Sequence, residues 1–80
     1  MTEVFVDLPN AEQIQRFVAV VSGLDGDFDL FDGNRILDAR SLMGIFSFDL
    51  AKPIKLRIYH DSNENLEAIR AFIAGTENER

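Results

Sequence analysis

Few side chains in this sequence could do chemistry. Ser41 stands between Arg40 and the apolar run Leu42-Met43-Gly44-Ile45-Phe46, His60 is the single histidine, and Asp25, Asp27 and Asp29 alternate just after Gly23. A serine at the head of a helix beside an arginine can carry a phosphate, because the helix N-terminus and the guanidinium both favour a dianion there. The same hydroxyl could instead serve as an N-cap for the free amides near Met43 and Gly44. Both readings of Ser41 stay open. A calcium loop opening at Asp25 would need Gly at its sixth position and Glu at its twelfth, where the chain has Leu30 and Ile36. The aspartates therefore read as turn and outward strand positions, and no metal is expected. One histidine with scattered serines forms no nucleophile and base pattern, and no glycine-rich phosphate loop precedes a helix. The chain is expected not to be an enzyme and to use no cofactor.

Composition narrows the partners. Eight Lys and Arg against fourteen Asp and Glu give a net charge of -6, which repels phosphate backbones and anionic membranes. The basic residues from Arg35 to Arg57 are interleaved with aspartates, so no nucleic-acid surface is expected. The longest apolar run, Phe17 to Val21, is too short to span a bilayer, and Met1-Thr2-Glu3 lacks the basic and apolar regions of a leader. A cytoplasmic protein with no membrane partner, acting as a monomer, is the expectation. Eighty residues, of which 46% are hydrophobic and none is cysteine, suffice for one core without disulfide staples. One domain over 1–80 follows, with a frayed tail at 76–80 that has nothing apolar to bury.

The elements that must position these residues come from periodicity. Val4, Val6 and Leu8 alternate with Phe5 and Asp7, predicting a strand from Glu3 to Leu8 that Pro9 ends. Asn10 followed by Gln13 resembles a capping box, and Ile14, Phe17, Val18 and Val21 share one helical face, with Gly23 as a left-handed stop. The stretches Asp27 to Phe31 and Arg35 to Asp38 flank Gly33-Asn34 and predict a hairpin. Ser41 to Phe48 predicts one or two helical turns. Pro53 opens a fourth strand, with Ile54, Leu56 and Ile58 on one side and Lys55, Arg57 and Tyr59 on the other. Asp61 with Glu64 starts a last helix carrying Leu66, Ile69, Phe72 and Ile73 and closing at Gly75. The order βαββαβα, with strands apolar on one side, predicts an α+β fold whose helices cover a single face of a mostly antiparallel sheet.

In this setting the stretch Asp38-Ala39-Arg40-Ser41-Leu42-Met43-Gly44-Ile45-Phe46-Ser47, followed by Leu50 and the strand Ile54 to Ile58, resembles the regulatory-serine segment of HPr. HPr is the histidine-containing phosphocarrier of the bacterial sugar phosphotransferase system, and Ala-Lys-Ser-Ile-Met-Gly is a common form of that segment. The element order is similar over nearly the whole chain. The resemblance implies an HPr-like open-faced β-sandwich, with a four-stranded sheet in the order 1-4-2-3 and three helices on one face. It also implies that Ser41 is a target of an HPr kinase. Arg40, Leu42, Met43 and Phe46 would then form a contact surface for that kinase, an enzyme I-like protein or a transcriptional regulator.

The family places Gly-x-His-x-Arg-Pro after the first strand, and that histidine carries the phosphoryl group. Here the stretch reads Asn10-Ala11-Glu12-Gln13-Ile14-Gln15-Arg16, shorter than the family form and without His or Pro. An amide such as that of Gln13 or Gln15 has no lone pair comparable to an imidazole nitrogen, and Arg16 loses its register with the family's arginine. His60 is expected at the far end of the fourth strand, roughly 17 to 20 Å away, as a solvated residue. The expected function is that of an HPr-like regulatory or protein-interaction protein unable to act as a histidine phosphocarrier. Two alternatives stay open: a phosphocarrier working from a non-standard residue, and a structural or small-molecule-binding domain that only shares the fold.

Overall fold

The computed structural model of the protein describes residues 1–75, so the expected frayed tail at 76–80 lies outside the described residues. The elements are β1 (Thr2–Val6), α1 (Ala11–Ser22), β2 (Phe28–Asp32), β3 (Arg35–Asp38), α2 (Leu42–Ile45), β4 (Ile54–Ile58), α3 (Asn63–Ile69), a 3-10 turn (Arg70–Phe72) and β5 (Ile73–Gly75). All strand pairs are antiparallel. The sheet runs β3-β2-β4-β1-β5.

Alternation decides which side of the sheet is covered. Val4 and Val6, Phe28 and Leu30, and Ile54, Leu56 and Ile58 all turn to one face and are buried, whereas Phe5, Lys55 and Arg57 turn to the other. The helices supply the matching apolar stripe through Ile14, Phe17 and Val21 of α1, Ile45 of α2 and Ile69 of α3, all within the same cluster. Phe72 joins them, its ring meeting Phe17 edge to face at 5.3 Å. Each large apolar side chain sealed there is worth about 1.5–3 kcal/mol. The outer sheet face stays open.

Local signals set the ends of the elements. Asn10 accepts the amide of Gln13 at 2.9 Å, which fixes the start of α1 where the sequence predicts it. Gly33 has φ 61 and occupies the first position of a two-residue turn closed by the Asp32 and Arg35 pair, as a type II′ hairpin requires. Gly23 ends α1 with φ -94 rather than in the left-handed region. The positive φ comes three residues later, at Gly26 with φ 93.

The C-terminal part corrects the expectation. Among the described residues the sheet has five strands, not four, and its order differs from 1-4-2-3 by the added β5. The four expected strands keep their neighbours, and β5 takes the free edge of β1. The stripe Leu66, Ile69 and Ile73 predicts a helix running to Gly75, yet α3 stops at Ile69 and tightens into a 3-10 turn. That turn drives Phe72 into the core, and its carbonyl then accepts the amide of Asp7 at 2.8 Å, aligning Ile73–Gly75 with β1. A β-branched residue such as Ile73 serves a strand as readily as a helix face. The start of α3 differs too, because Ser62 rather than Asp61 caps it, accepting the amide of Asn65 at 3.1 Å. Asp61 instead accepts the Thr2 hydroxyl at 2.6 Å. β1 ends at Val6 rather than Leu8, although Leu8 is still buried.

Candidate functional site

The segment Asp38 to Phe46 is built on a turn. The Asp38 carbonyl accepts the amide of Ser41 at 2.9 Å and its carboxylate accepts the amide of Arg40 at 2.8 Å, so the chain reverses at the end of β3. Ala39 is buried, which anchors that turn to the core. α2 follows as a single helical turn of four residues, with Ile45 pointing inward. Ser41 precedes it, exposed, and its hydroxyl makes no capping bond. Ser41 is therefore not a side-chain cap in this structure. Its carbonyl still accepts the amide of Ile45 at 3.0 Å, so the backbone, not the hydroxyl, opens the helix. Gly44 leaves room for that hydroxyl, since a Cβ there would stand 2.8 Å from the Ser41 Oγ.

The neighbours of Ser41 divide into two sets. Met43 is 78% exposed and Phe46 41%, an apolar pair beside the serine with no core to enter. Leu42 is only half-buried and packs against the core. Arg40 reaches back to the loop before β2: one terminal nitrogen donates to the carbonyls of Leu24 and Gly26 at 2.9 and 2.8 Å. Its guanidinium also lies 5.4 Å from the centre of the Phe28 ring and 3.9 Å from the Asp38 carboxylate. In this state it pairs with protein groups rather than with Ser41.

The loop that Arg40 grips has a further holder. Asn65 is buried, and its amide nitrogen donates to the carbonyls of Asp25 and His60, each at 2.8 Å. The Asp27 carbonyl accepts the amide of Tyr59 at 3.1 Å. Four consecutive carbonyls, Leu24 to Asp27, are thus each taken by a donor from elsewhere in the fold. Sequence reasoning missed Asn65, which lies among polar residues at a helix start where an asparagine usually faces water. Its only signal was a fully polar first turn before Leu66.

The start of α1 is tied up by its own contacts. Asn10 and Gln13 are tied there by the cap, and Arg16 pairs with Glu12 at 2.7 Å. His60 lies at the other end of α1, where a Cβ placed on Gly26 would come 2.5 Å from the His60 Cβ. A helix of twelve residues separates the two places by about 18 Å. The aspartates Asp25 and Asp27 are exposed on that same loop, and Asp29 sits in β2 accepting the Tyr59 hydroxyl at 3.0 Å.

The open sheet face is largely self-paired. Arg57 donates to Glu3 at 2.7 Å and lies 4.5 Å from the Phe31 ring centre. That hydrogen bond, helped by the charges of Lys55 and Arg57, holds the Glu3 carboxyl below the usual carboxylate range. Between Phe5 and Phe31, above Lys55, a shallow cleft of about 400 Å³ opens toward Lys52 and Asp49. Among the described residues no helix is long and apolar enough to cross a membrane. Comparison of the chain with protein-family models, curated proteins and solved structures gives no match.

Proposed function

We propose that this chain is a non-catalytic, HPr-like regulatory or protein-interaction domain that presents the Ser41 to Phe46 segment to protein partners and is switched by phosphorylation of Ser41. Its place would be cytoplasmic, beside a phosphotransferase system, with an HPr kinase, an enzyme I-like protein or a transcriptional regulator as partner. The observation that carries the reading is the exposed Ser41 hydroxyl with no capping role, set beside exposed Met43 and Phe46. A buried or bonded hydroxyl would have to break a contact before a kinase could reach it. This one does not. The neighbour relations β3-β2-β4-β1, with helices over one face, support the same reading because they match what the HPr resemblance implies.

The start of α1 supports the second half of the reading, the loss of phosphocarrier chemistry. Asn10, Glu12 and Gln13 stand there, and none offers a nitrogen lone pair able to attack phosphorus. The modification envisaged instead is ordinary phosphoryl transfer. The Ser41 Oγ forms a bond to the γ-phosphorus of ATP, the bond from that phosphorus to the bridging oxygen breaks, ADP leaves, and the hydroxyl proton passes to the kinase base.

Incubation with ATP and an HPr kinase should raise the mass of the protein by one phosphoryl group, and Ser41→Ala should gain none. A wild-type protein that stays unmodified sinks the switch. Acid-labile phosphate appearing after treatment with phosphoenolpyruvate and enzyme I would sink the non-carrier half.

A further inference from the structure

We infer that Arg40 couples Ser41 to the Leu24–Asp27 loop: a phosphate on Ser41 draws the guanidinium away from the Leu24 and Gly26 carbonyls and so changes a second surface of the protein. The inference rests on the reading of Ser41 as a phosphorylation site. It adds what the phosphate does once present.

The loop is held by three donors with different freedom. Asn65 is buried among its two carbonyl acceptors, and the Tyr59 donor is a backbone amide fixed at the end of β4. Arg40 alone is a long side chain, 28% exposed, and it belongs to the residue next to Ser41. Its present acceptors, the Leu24 and Gly26 carbonyls, are neutral. A phosphoserine carries about -1.5 to -2 charge at neutral pH and three acceptor oxygens. Bonds between arginine and phosphate are charged on both sides, can be bidentate, and are roughly twice as strong as neutral ones.

The opposing attractions are the Phe28 ring face, 5.4 Å from the guanidinium, and the Asp38 carboxylate, and neither matches the charge of a phosphate. The Asp38 carboxylate is 3.9 Å from the guanidinium, beyond a hydrogen bond, and it repels a phosphate at Ser41, leaving Arg40 as the adjacent compensating cation. α2 itself adds little, since a single turn carries only a fraction of a helix dipole. The response is selective. Leu24 and Gly26 lose their donor while Asp25 and Asp27 keep theirs, so the loop loosens at alternate residues and stays tethered.

Phosphoserine installed at position 41 by genetic encoding tests the coupling without any kinase. Carbonyl-carbon NMR of that protein should show the Leu24 and Gly26 resonances moving upfield as their hydrogen bonds are lost, with Asp25 and Asp27 unmoved. Unmodified Arg40→Gln should shift the same two resonances, and phosphoserine in that background should add nothing at either. Unchanged Leu24 and Gly26 signals in the phosphoserine protein overturn the coupling. If an HPr kinase leaves Ser41 untouched while encoded phosphoserine moves those signals, the coupling stands and the kinase reading is what fails.

Discussion

Gly26 and Asn65 show how single residues hold the loop that Arg40 grips in shape. At φ 93 Gly26 occupies backbone that side-chain-bearing residues adopt only at a cost of about 1–2 kcal/mol. A Cβ there would also meet the His60 Cβ at 2.5 Å, an atom too close to its own backbone to swing aside. Gly26→Ala should therefore lose more than the backbone cost alone, read as a lower urea midpoint. Adding His60→Gly should recover the steric part and leave the backbone part. Asn65 works through its donor. Asn65→Ala strands the Asp25 and His60 carbonyls and should cost about 1–3 kcal/mol. Asn65→Asp should be worse at neutral pH, because a carboxylate would face two carbonyl oxygens with no proton to offer. A midpoint for Asn65→Ala equal to that of the wild type would mean that the amide is not the group that matters.

At the scale of elements, three helices among the described residues begin after a residue able to cap, and two of them use it. Asn10 and Ser62 accept amides at 2.9 and 3.1 Å, while the Ser41 hydroxyl does not. Asn10→Ala and Ser62→Ala should each destabilise by about 0.5–2 kcal/mol in urea denaturation. Ser41→Ala should stay within about 0.5 kcal/mol, as an exposed substitution without a lost bond does. A large loss for Ser41→Ala would restore the capping role and weaken the case for a free hydroxyl. The contrast shows what the sequence could reveal. Cap residues are legible by type, so α1 was placed from Asn10 and Gln13, and the β2 and β3 hairpin from Gly33-Asn34. Which of two neighbours caps is decided by where the chain arrives. Asp61 was drawn off by the Thr2 hydroxyl from a strand far away in sequence, so Ser62 took its place. β5 was hidden for the same reason. The spacing of Leu66, Ile69 and Ile73 fits a helix, and only the open edge of β1 makes Ile73 a strand residue. The candidate site was legible in part: exposure at Met43 and Phe46 follows from a helix too short to bury every apolar side chain, whereas the partners of Arg40 are loop carbonyls that no local pattern points to.

For the whole molecule, the charges that cross between strands set how the fold meets acid. Glu3 of β1 faces Arg57 of β4, and Asp61 after β4 takes the Thr2 hydroxyl, so both carboxylates tie the N-terminal strand to the centre of the sheet. The Arg57 hydrogen bond holds Glu3 below its ordinary value, with the nearby positive charges adding to it and burial opposing. The Thr2 hydroxyl lowers Asp61 in the same direction. A carboxylate with a lowered pKa in the folded state binds protons more weakly there than in the unfolded chain. Its contribution is therefore complete above the ordinary carboxylate range and is lost as pH falls through that range toward the lowered value. The net charge of -6 acts the other way, because protonation of other carboxylates relieves self-repulsion as acid is added. A difference measurement separates the two effects. The gap in urea midpoint between the wild type and Glu3→Gln should be constant at pH 6 and above, and should narrow below about pH 4 as the wild type loses its ionised partner. Self-repulsion changes almost equally in both proteins and largely cancels. A gap that stays the same down to about pH 3 would mean that Arg57 gains nothing from Glu3, and that β1 is held to β4 without that ion pair.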